Sequence, residues 1–227
     1  MSGNPVAAPT LVLMGSVLPE YGKFRFDRTL AAARRDIGPD PDFARRDHVV
    51  RLRIWLNHWI CRIGYPRPGE DDLLADSLAT WWTEYKVMLP PADQRLAQLQ
   101  DTQLKSLSRA YAGLYALPAA ASRAGKVRTV GPTAAAKLLY FVRPLAITAW
   151  DKAISLRTGG GHDEVAFLTH LTACRGWAQD LEAEARQLGL APEEIGPYLH
   201  RPASSVAKLI DEWFYATITG GLAASGR

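Results

Sequence analysis

The sequence predicts an all-α fold of about nine helices arranged in two packed lobes. Apolar residues recur at the three- and four-residue spacing of a helix face along most of the chain. Proline and glycine interrupt this pattern at helix-length intervals. Outside residues 10–18, no alternation of apolar and polar residues indicates a strand. Hydrophobic residues make up 48% of the chain and charged residues 22%, a balance that excludes wholesale disorder.

An apolar N-terminal segment and three long helices account for the first half of the chain. Residues 5–19 contain three prolines and lack a basic leader, which favours a buried segment over a signal peptide or a membrane span. Helical spacing then predicts helices over 42–63, 70–88 and 93–117. The first of them has its apolar stripe at Val49, Leu52, Leu56, Trp59, Ile60 and Ile63.

The second half is predicted to contain one long helix and several short ones. A short Ala-rich helix at 119–124 precedes a glycine-containing turn at 125–132. Further helices, bounded by proline, glycine or aspartate, are expected over 132–142, 151–157, 163–188, 192–199 and 203–218. The short helix, the turn and the helix that follows together predict a central helix–hairpin–helix.

We interpret residues 1–227 as a single compact helical unit. Residues 20–100 supply its N-terminal helices, and 101–158 supply the helix–hairpin–helix with the segment after it. Residues 159–227 supply C-terminal helices that pack back on the N-terminal lobe. We expect a monomer in the cytoplasm.

The charge of the chain is concentrated in its centre. The formal net charge is only +4, but residues 105–157 contain nine basic residues and one acidic residue, Asp151. The positive charges of such a block repel one another unless an anion neutralises them, and nucleic-acid phosphates are the usual anion. Alternatively, these basic residues neutralise the acidic flanks once the chain folds. The nine are Lys105, Arg109, Arg123, Lys126, Arg128, Lys137, Arg143, Lys152 and Arg157.

The cysteines and histidines argue against a metal centre. Cys61 and Cys174 are the two cysteines of the chain, which excludes a disulfide scaffold, a four-cysteine zinc site and a four-cysteine iron–sulfur cluster. The five histidines include no pair at i, i+4 spacing. We therefore expect neither a metal nor another cofactor.

The turn before residue 132 has the features of a phosphate site. Gly131 supplies backbone freedom, and the residue after it is a proline, which suits the first position of a helix. Backbone N–H groups at a helix N-terminus bind phosphate. We predict that Lys126, Arg128, Gly131, Thr133 and Lys152 contact a DNA backbone.

Residues 129–154, TVGPTAAAKLLYFVRPLAITAWDKAI, resemble the hairpin-plus-aspartate motif of the helix–hairpin–helix (HhH-GPD) DNA glycosylases. Gly131 matches the last hairpin glycine, and Asp151 matches the aspartate that family members use in catalysis. Thr133 stands where bifunctional members carry the lyase lysine, while Lys137 lies one turn deeper on the same helix face. The fuller Leu-Pro-Gly-x-Gly hairpin and the four-cysteine cluster of some members are absent.

The resemblance implies a monofunctional glycosylase that flips and excises a damaged or modified base from double-stranded DNA, without strand cleavage. Asp151 would stabilise the oxocarbenium-like transition state or activate water, and Lys137 is the second catalytic candidate. Trp150, Trp82 and Tyr140 are candidates for the base pocket. The sequence leaves two target bases open, a lesion that is removed in repair and a phage-type modified cytosine. Excision of the modified cytosine would imply anti-phage defence.

Three alternatives remain open on the sequence alone. Asp151 is also a good residue to cap a helix N-terminus, and both roles are compatible. A non-catalytic DNA-binding protein would keep the hairpin for backbone contacts and perform no reaction. A helical interaction scaffold would use the basic block to bind an acidic protein.

Overall fold

The computed structural model describes residues 6–21, 26–38, 40–121, 125–158 and 160–219. Helix dominates these ranges, and the predicted all-α class is confirmed. The α-helices are α1 (Leu11–Tyr21), α2 (Phe26–Ile37), α3 (Arg46–His58), α4 (Leu73–Tyr85), α5 (Asp101–Ala116), α6 (Pro132–Val142), α7 (Lys152–Thr158), α8 (Glu164–Gln187), α9 (Ile195–Tyr198) and α10 (Val206–Phe214). Short 3₁₀ turns at Lys86–Met88, Leu96–Gln98 and Pro192–Glu194, and a π-helical turn at Tyr215–Thr219, complete the helical part.

Side-chain caps explain where several helices begin. The carboxylate of Asp72 accepts a hydrogen bond from the Ala75 N–H and caps α4. Asp163 caps α8 through the Ala166 N–H at 2.9 Å. Each cap satisfies a backbone donor that has no partner inside its own helix.

The prediction differs from the structure in two N-terminal elements. Residues 11–21 form helix α1 rather than a strand, because Leu11, Met14 and Leu18 recur at helical spacing and are buried along one side. Helix α2 was not predicted from the sequence. Its inner face consists mainly of Leu30, Ala33 and Ile37, and alanine contributes little to a recognisable apolar stripe.

The predicted Ala-rich helix at 119–124 was wrong. Strands β1 (Pro118–Ala121) and β2 (Val127–Thr129) pair antiparallel instead, with Ala120 opposite Arg128. Residues 122–124 of the prediction lie outside the described residues. Pro118 ends α5, and pairing with β2 then gives the backbone of this segment the hydrogen bonds that a helix would have supplied.

The β-hairpin is inserted between α5 and α6, and backbone hydrogen bonds join the end of α5 to the start of α6 at its base. The Val130 N–H donates to the Leu117 carbonyl at 2.9 Å, and the Gly131 N–H donates to the Tyr115 carbonyl at 3.0 Å. Gly131 has φ +77°, which a glycine adopts without strain, and Pro132 occupies the first position of α6. The chain therefore runs helix, β-hairpin, helix, in place of the short helix, turn and helix that were predicted to form a helix–hairpin–helix.

The core connects the N-terminal and C-terminal helices. Helix α8 packs against α5, the Leu96–Gln98 turn and α10, and α10 packs against α1. Aromatic contacts reinforce these packings: Tyr111 of α5 stacks on Phe167 of α8 with 4.0 Å between ring centroids, and Trp55 of α3 meets Phe141 of α6 edge-on. The first contact joins α5 to α8, and the second joins α3 to α6.

We expect the stability of the protein to fall on acidification because of His170. This side chain is buried, its Nε2 lies 2.9 Å from the Thr148 hydroxyl, and burial lowers its pKa to about 3. At a pH above about 6.5, the pKa of histidine in the unfolded chain, His170 is neutral in the folded and in the unfolded protein. Its protonation then does not change the free energy of unfolding. As pH falls from 6.5 towards 3, the unfolded chain takes up the proton, so stability is lost by up to about 1.4 kcal/mol per pH unit.

Urea unfolding between pH 7 and pH 4 measures this loss. Because carboxylates also titrate in that range, the comparison is with His170→Gln, which keeps hydrogen-bonding groups but does not ionise. The variant should show a shallower pH dependence, whatever its absolute stability. Equal slopes for both proteins would contradict the assignment.

Candidate functional site

Four charged side chains from three parts of the fold lie close enough to influence one another electrostatically. They are Lys137 of α6, Asp151 immediately before α7, and Lys208 and Asp211 of α10, which we call the charged cluster. Lys137, Lys208 and Asp211 are each only 7% exposed, and Asp151 is half-buried. The Lys208 ammonium donates to the Asp211 carboxylate at 2.7 Å. Buried charges are costly unless they are paired, and clusters of them are concentrated at functional sites.

Lys137 sits against the segment that follows α3. Its Nζ donates to the Trp59 carbonyl at 3.3 Å and lies 4.4 Å from the centroid of the Trp59 ring. Burial lowers the pKa of Lys137, and the nearby Lys208 lowers it further, while Cys61 and the carboxylates of Asp211 and Asp151 oppose this. The ammonium of Lys137 is therefore a stronger acid than that of an exposed lysine.

Asp151 combines the two roles that the sequence left open. One carboxylate oxygen accepts a hydrogen bond from the Ile154 N–H at 2.9 Å and caps α7. Its charge also acts on Lys137 and on Asp211, raising the pKa of both. Asp151 is thus both a helix cap and a member of the charged cluster.

Burial is also the main influence on Asp211. It raises the pKa of this carboxyl, and Asp151 adds to the rise, whereas the ammonium groups of Lys208 and Lys137 lower the pKa. Asp211 is therefore in contact with one ammonium group of the cluster, that of Lys208, and is influenced by the charge of the other, that of Lys137. The sequence analysis missed Lys208 and Asp211, although two charges three residues apart in the apolar run VAKLIDEWF were a visible signal.

A cavity of about 450 Å³ lies beside the charged cluster. Lys208 and Tyr140 are both part of its wall, and Tyr140 shares a face of α6 with Lys137, three residues earlier. We call it the Tyr140 cavity. Its other lining residues include Leu30, Arg34, Asp93, Arg95, Leu145, Glu193, Ser204 and Val206.

A buried ion pair supports one wall of the Tyr140 cavity. Glu212 is fully buried and accepts hydrogen bonds from the Arg201 guanidinium at 2.7 Å and from the Ser204 hydroxyl at 3.2 Å. The Ser205 hydroxyl donates to the Pro144 carbonyl at 2.8 Å. These contacts attach the 201–205 loop to α10 and to the segment that follows α6.

The three predicted base-pocket aromatics lie at three different cavities. Tyr140 lines the cavity beside the charged cluster. Trp150 is buried among Tyr111, Phe167 and His170, and it lines a separate cavity of about 250 Å³. Trp82 lines a third, of about 490 Å³, at the far end of α6 with Arg143. The structure therefore does not bring Trp150 and Trp82 together with Tyr140. Trp150, the residue before Asp151, is instead packed in the core.

The predicted backbone-binding residues lie on the β-hairpin and at two helix starts. Lys126 and Arg128 are exposed on the β-hairpin, Gly131 and Thr133 open α6, and Lys152 is exposed at the first position of α7. In the described part of the chain, five exposed basic residues of the central block make no ion pair. They are Lys105, Arg109, Arg128, Lys152 and Arg157. This finding weakens the alternative that the block only neutralises acidic flanks.

The end of α3 also differs from the prediction. The helix ends at His58, and Ile60, expected on the buried stripe, is 69% exposed. The Asn57 side chain explains the change, because it donates to the Ile63 carbonyl and accepts from the Ile63 N–H. These two bonds close residues 57–63 into a loop that returns to the core at Ile63.

No protein-family model, curated protein or solved structure matches this chain. Within the described ranges, no helix is long and apolar enough to cross a membrane. The same ranges contain no group of three or more histidine, cysteine or acidic side chains arranged to hold a metal ion.

Proposed function

We propose that this protein is a monofunctional DNA glycosylase that extrudes a base from double-stranded DNA and cleaves its N-glycosidic bond. The observation that carries the proposal is the position of Asp151, which caps α7 while its charge acts within a buried cluster beside a cavity. We further propose that it acts as a monomer in the cytoplasm. The resemblance of residues 129–154 to the helix–hairpin–helix glycosylases supports the same reaction.

The chemistry requires an anion next to a developing positive charge. When the bond between C1′ and the base nitrogen breaks, its electron pair leaves with the base and the sugar becomes cationic. The Asp151 carboxylate would stabilise that cation and take a proton from the water that adds to C1′. The lowered pKa of Lys137 suits it to protonate the departing base.

Exposed cations near the starts of α6 and α7 would hold the DNA backbone. Arg128 and Lys152 make no ion pair within the described residues, so each is available to neutralise a phosphate. Lys126 is exposed on the same hairpin. Phosphate contacts of this kind make binding fall steeply as salt rises.

The Tyr140 cavity would receive the extruded base. Its volume of about 450 Å³ lies in the range of pockets that hold small organic ligands. Arg34, Asp93 and Ser204 bring polar groups to its wall, where they would hydrogen-bond the edge of a base. A cavity of this size has room for a damaged base or for a modified cytosine, and excision of a phage-type cytosine would make the protein an anti-phage defence enzyme.

Incubation with duplexes that carry a panel of modified bases, followed by alkali, tests the proposal. Alkali cleaves the strand at each abasic site, so excision gives a strand break that appears only after alkali treatment. A break without alkali would contradict the monofunctional assignment. Asp151→Asn serves as the catalytic variant.

The exposed, unpaired cations also favour a second candidate, a DNA-binding protein without catalysis. It predicts salt-dependent duplex binding that Asp151→Asn leaves unchanged, and no abasic sites on any duplex of the panel. That combination of results would replace the glycosylase proposal.

A further inference from the structure

Two non-glycine residues, separated by Cys61, adopt left-handed backbone conformations just after α3. Ile60 has φ +60° and Arg62 has φ +55°. This region favours glycine, and a β-branched side chain there is an outlier, because its Cβ approaches the following carbonyl. Such strain persists where the surrounding structure enforces it, and it is concentrated at functional sites.

The backbone around Ile60 is held firmly. The Ile60 N–H donates to the Asn57 carbonyl at 3.0 Å, and the Cys61 N–H donates to the Leu56 carbonyl at 3.1 Å. The Asn57 side chain closes the loop onto Ile63. The isoleucine side chain nevertheless points away from the core and is 69% exposed. The loop therefore presents a large apolar side chain to solvent on a rigid support.

Ile60 directly follows a residue that contacts the charged cluster. The preceding residue, Trp59, accepts a hydrogen bond from the Lys137 ammonium through its carbonyl and contacts it with its ring. The carbonyl that contacts Lys137 belongs to the peptide bond that joins Trp59 to Ile60. Val127 is another exposed apolar residue near basic side chains, but no contact joins it to the cluster in the described part of the chain.

We infer that Ile60 is the wedge that enters the base stack of the duplex when a nucleotide is extruded towards the charged cluster. Proteins that unstack DNA insert apolar side chains such as isoleucine, leucine or phenylalanine between bases. The exposed Arg62, in the same loop, would contact the phosphates on either side of the opened step. This inference rests on the proposed function, because it assumes a duplex bound at the cluster.

Fluorescence of 2-aminopurine tests the wedge without requiring excision. The probe is placed beside a tetrahydrofuran abasic analogue, which cannot be cleaved by a glycosylase, in a short duplex. Insertion of Ile60 should unstack the probe and raise its fluorescence severalfold. Ile60→Ala and Ile60→Gly should remove at least two thirds of that rise, whereas Ile60→Leu, which restores a large apolar side chain, should recover most of it.

Ile54→Ala is the matched control, because Ile54 is also an exposed isoleucine but lies within α3. It should leave the fluorescence rise unchanged. Ile60→Gly should fold at least as stably as the wild type in urea, because glycine tolerates φ +60°. A loss of signal in a stable variant therefore reports on the DNA contact and not on folding.

The outcomes separate the wedge from the glycosylase proposal. Unstacking that depends on Ile60 without excision of any base would support the wedge and overturn the glycosylase. Excision that proceeds at the wild-type rate in Ile60→Ala, with full unstacking, would overturn the wedge alone. If the wild-type protein produces no fluorescence rise on a duplex that it binds, the wedge is also overturned.

Discussion

Replacing Asp151 with asparagine should lower the single-turnover rate of base excision by about 10²–10³-fold, the loss typical of removing one electrostatic group from a transition state. Asparagine has the same shape as aspartate and is an equally good residue at a helix N-terminus. The side-chain oxygen that accepts from the Ile154 N–H is therefore retained, and α7 stays capped. The variant removes the negative charge and little else.

The chain contains a matched control for this variant. Asp163 caps α8 through the Ala166 N–H at 2.9 Å, the same contact and distance as the Asp151 cap. Asp163 does not influence the pKa of Lys137 or Asp211, so it is not part of the charged cluster. Asp163→Asn should excise at the wild-type rate.

Three measurements on both variants decide the role of Asp151. Alkali-revealed strand breaks give the excision rate, fluorescence anisotropy gives duplex affinity, and urea unfolding gives stability. We expect affinity and stability to remain near those of the wild type. If Asp151→Asn excised as fast as Asp163→Asn, Asp151 would be a cap without a catalytic role.

The parts of the site that the sequence predicted are those with local signals. Gly131 followed by Pro132 marks the start of α6, and Asp151 marks the start of α7, because turn and cap preferences act over a few residues. Lys137 could be placed on the same face of α6 as Thr133 because helical spacing is also a local property. These positions did not depend on how distant helices pack.

The remaining parts depend on long-range packing that no local pattern reports. Lys208 and Asp211 reach the cluster only because α10 packs against α1 and α8. The β-hairpin exists because β1 finds a partner strand that its alanines do not specify. Ile60 continues the helical stripe in the sequence, but the Asn57 contacts to Ile63 end the helix earlier and turn Ile60 outwards.

Replacing Asp211 with alanine should destabilise the fold by about 3–5 kcal/mol, the usual cost of removing one partner from a buried ion pair. Asp211 is 7% exposed and accepts from the Lys208 ammonium at 2.7 Å. Its charge also raises the pKa of Lys137. Without it, two buried ammonium groups lose their nearest carboxylate, which is the source of the destabilisation.

The difference in stability between Asp211→Ala and the wild type should become smaller as the pH rises. In the folded variant, burial without Asp211 pushes the pKa of Lys137 further below the ordinary lysine value of about 10.4, which the unfolded chain retains. Between the folded and unfolded pKa values the unfolded state binds more protons, so the stability of the variant increases with pH. Urea unfolding at pH 7 and pH 9.5 should show a smaller difference from the wild type at the higher pH.

An apolar double variant separates charge from packing. Lys208→Met with Asp211→Leu removes both members of the pair and fills their volume, a change that is often neutral or stabilising for buried ion pairs. The double variant should be more stable than Asp211→Ala. Its remaining loss of stability relative to the wild type would come from Lys137, whose ammonium still lacks the Asp211 charge. Equal destabilisation of the two variants, with no dependence on pH, would mean that Asp211 acts through packing, and the charged cluster would then lose its electrostatic basis.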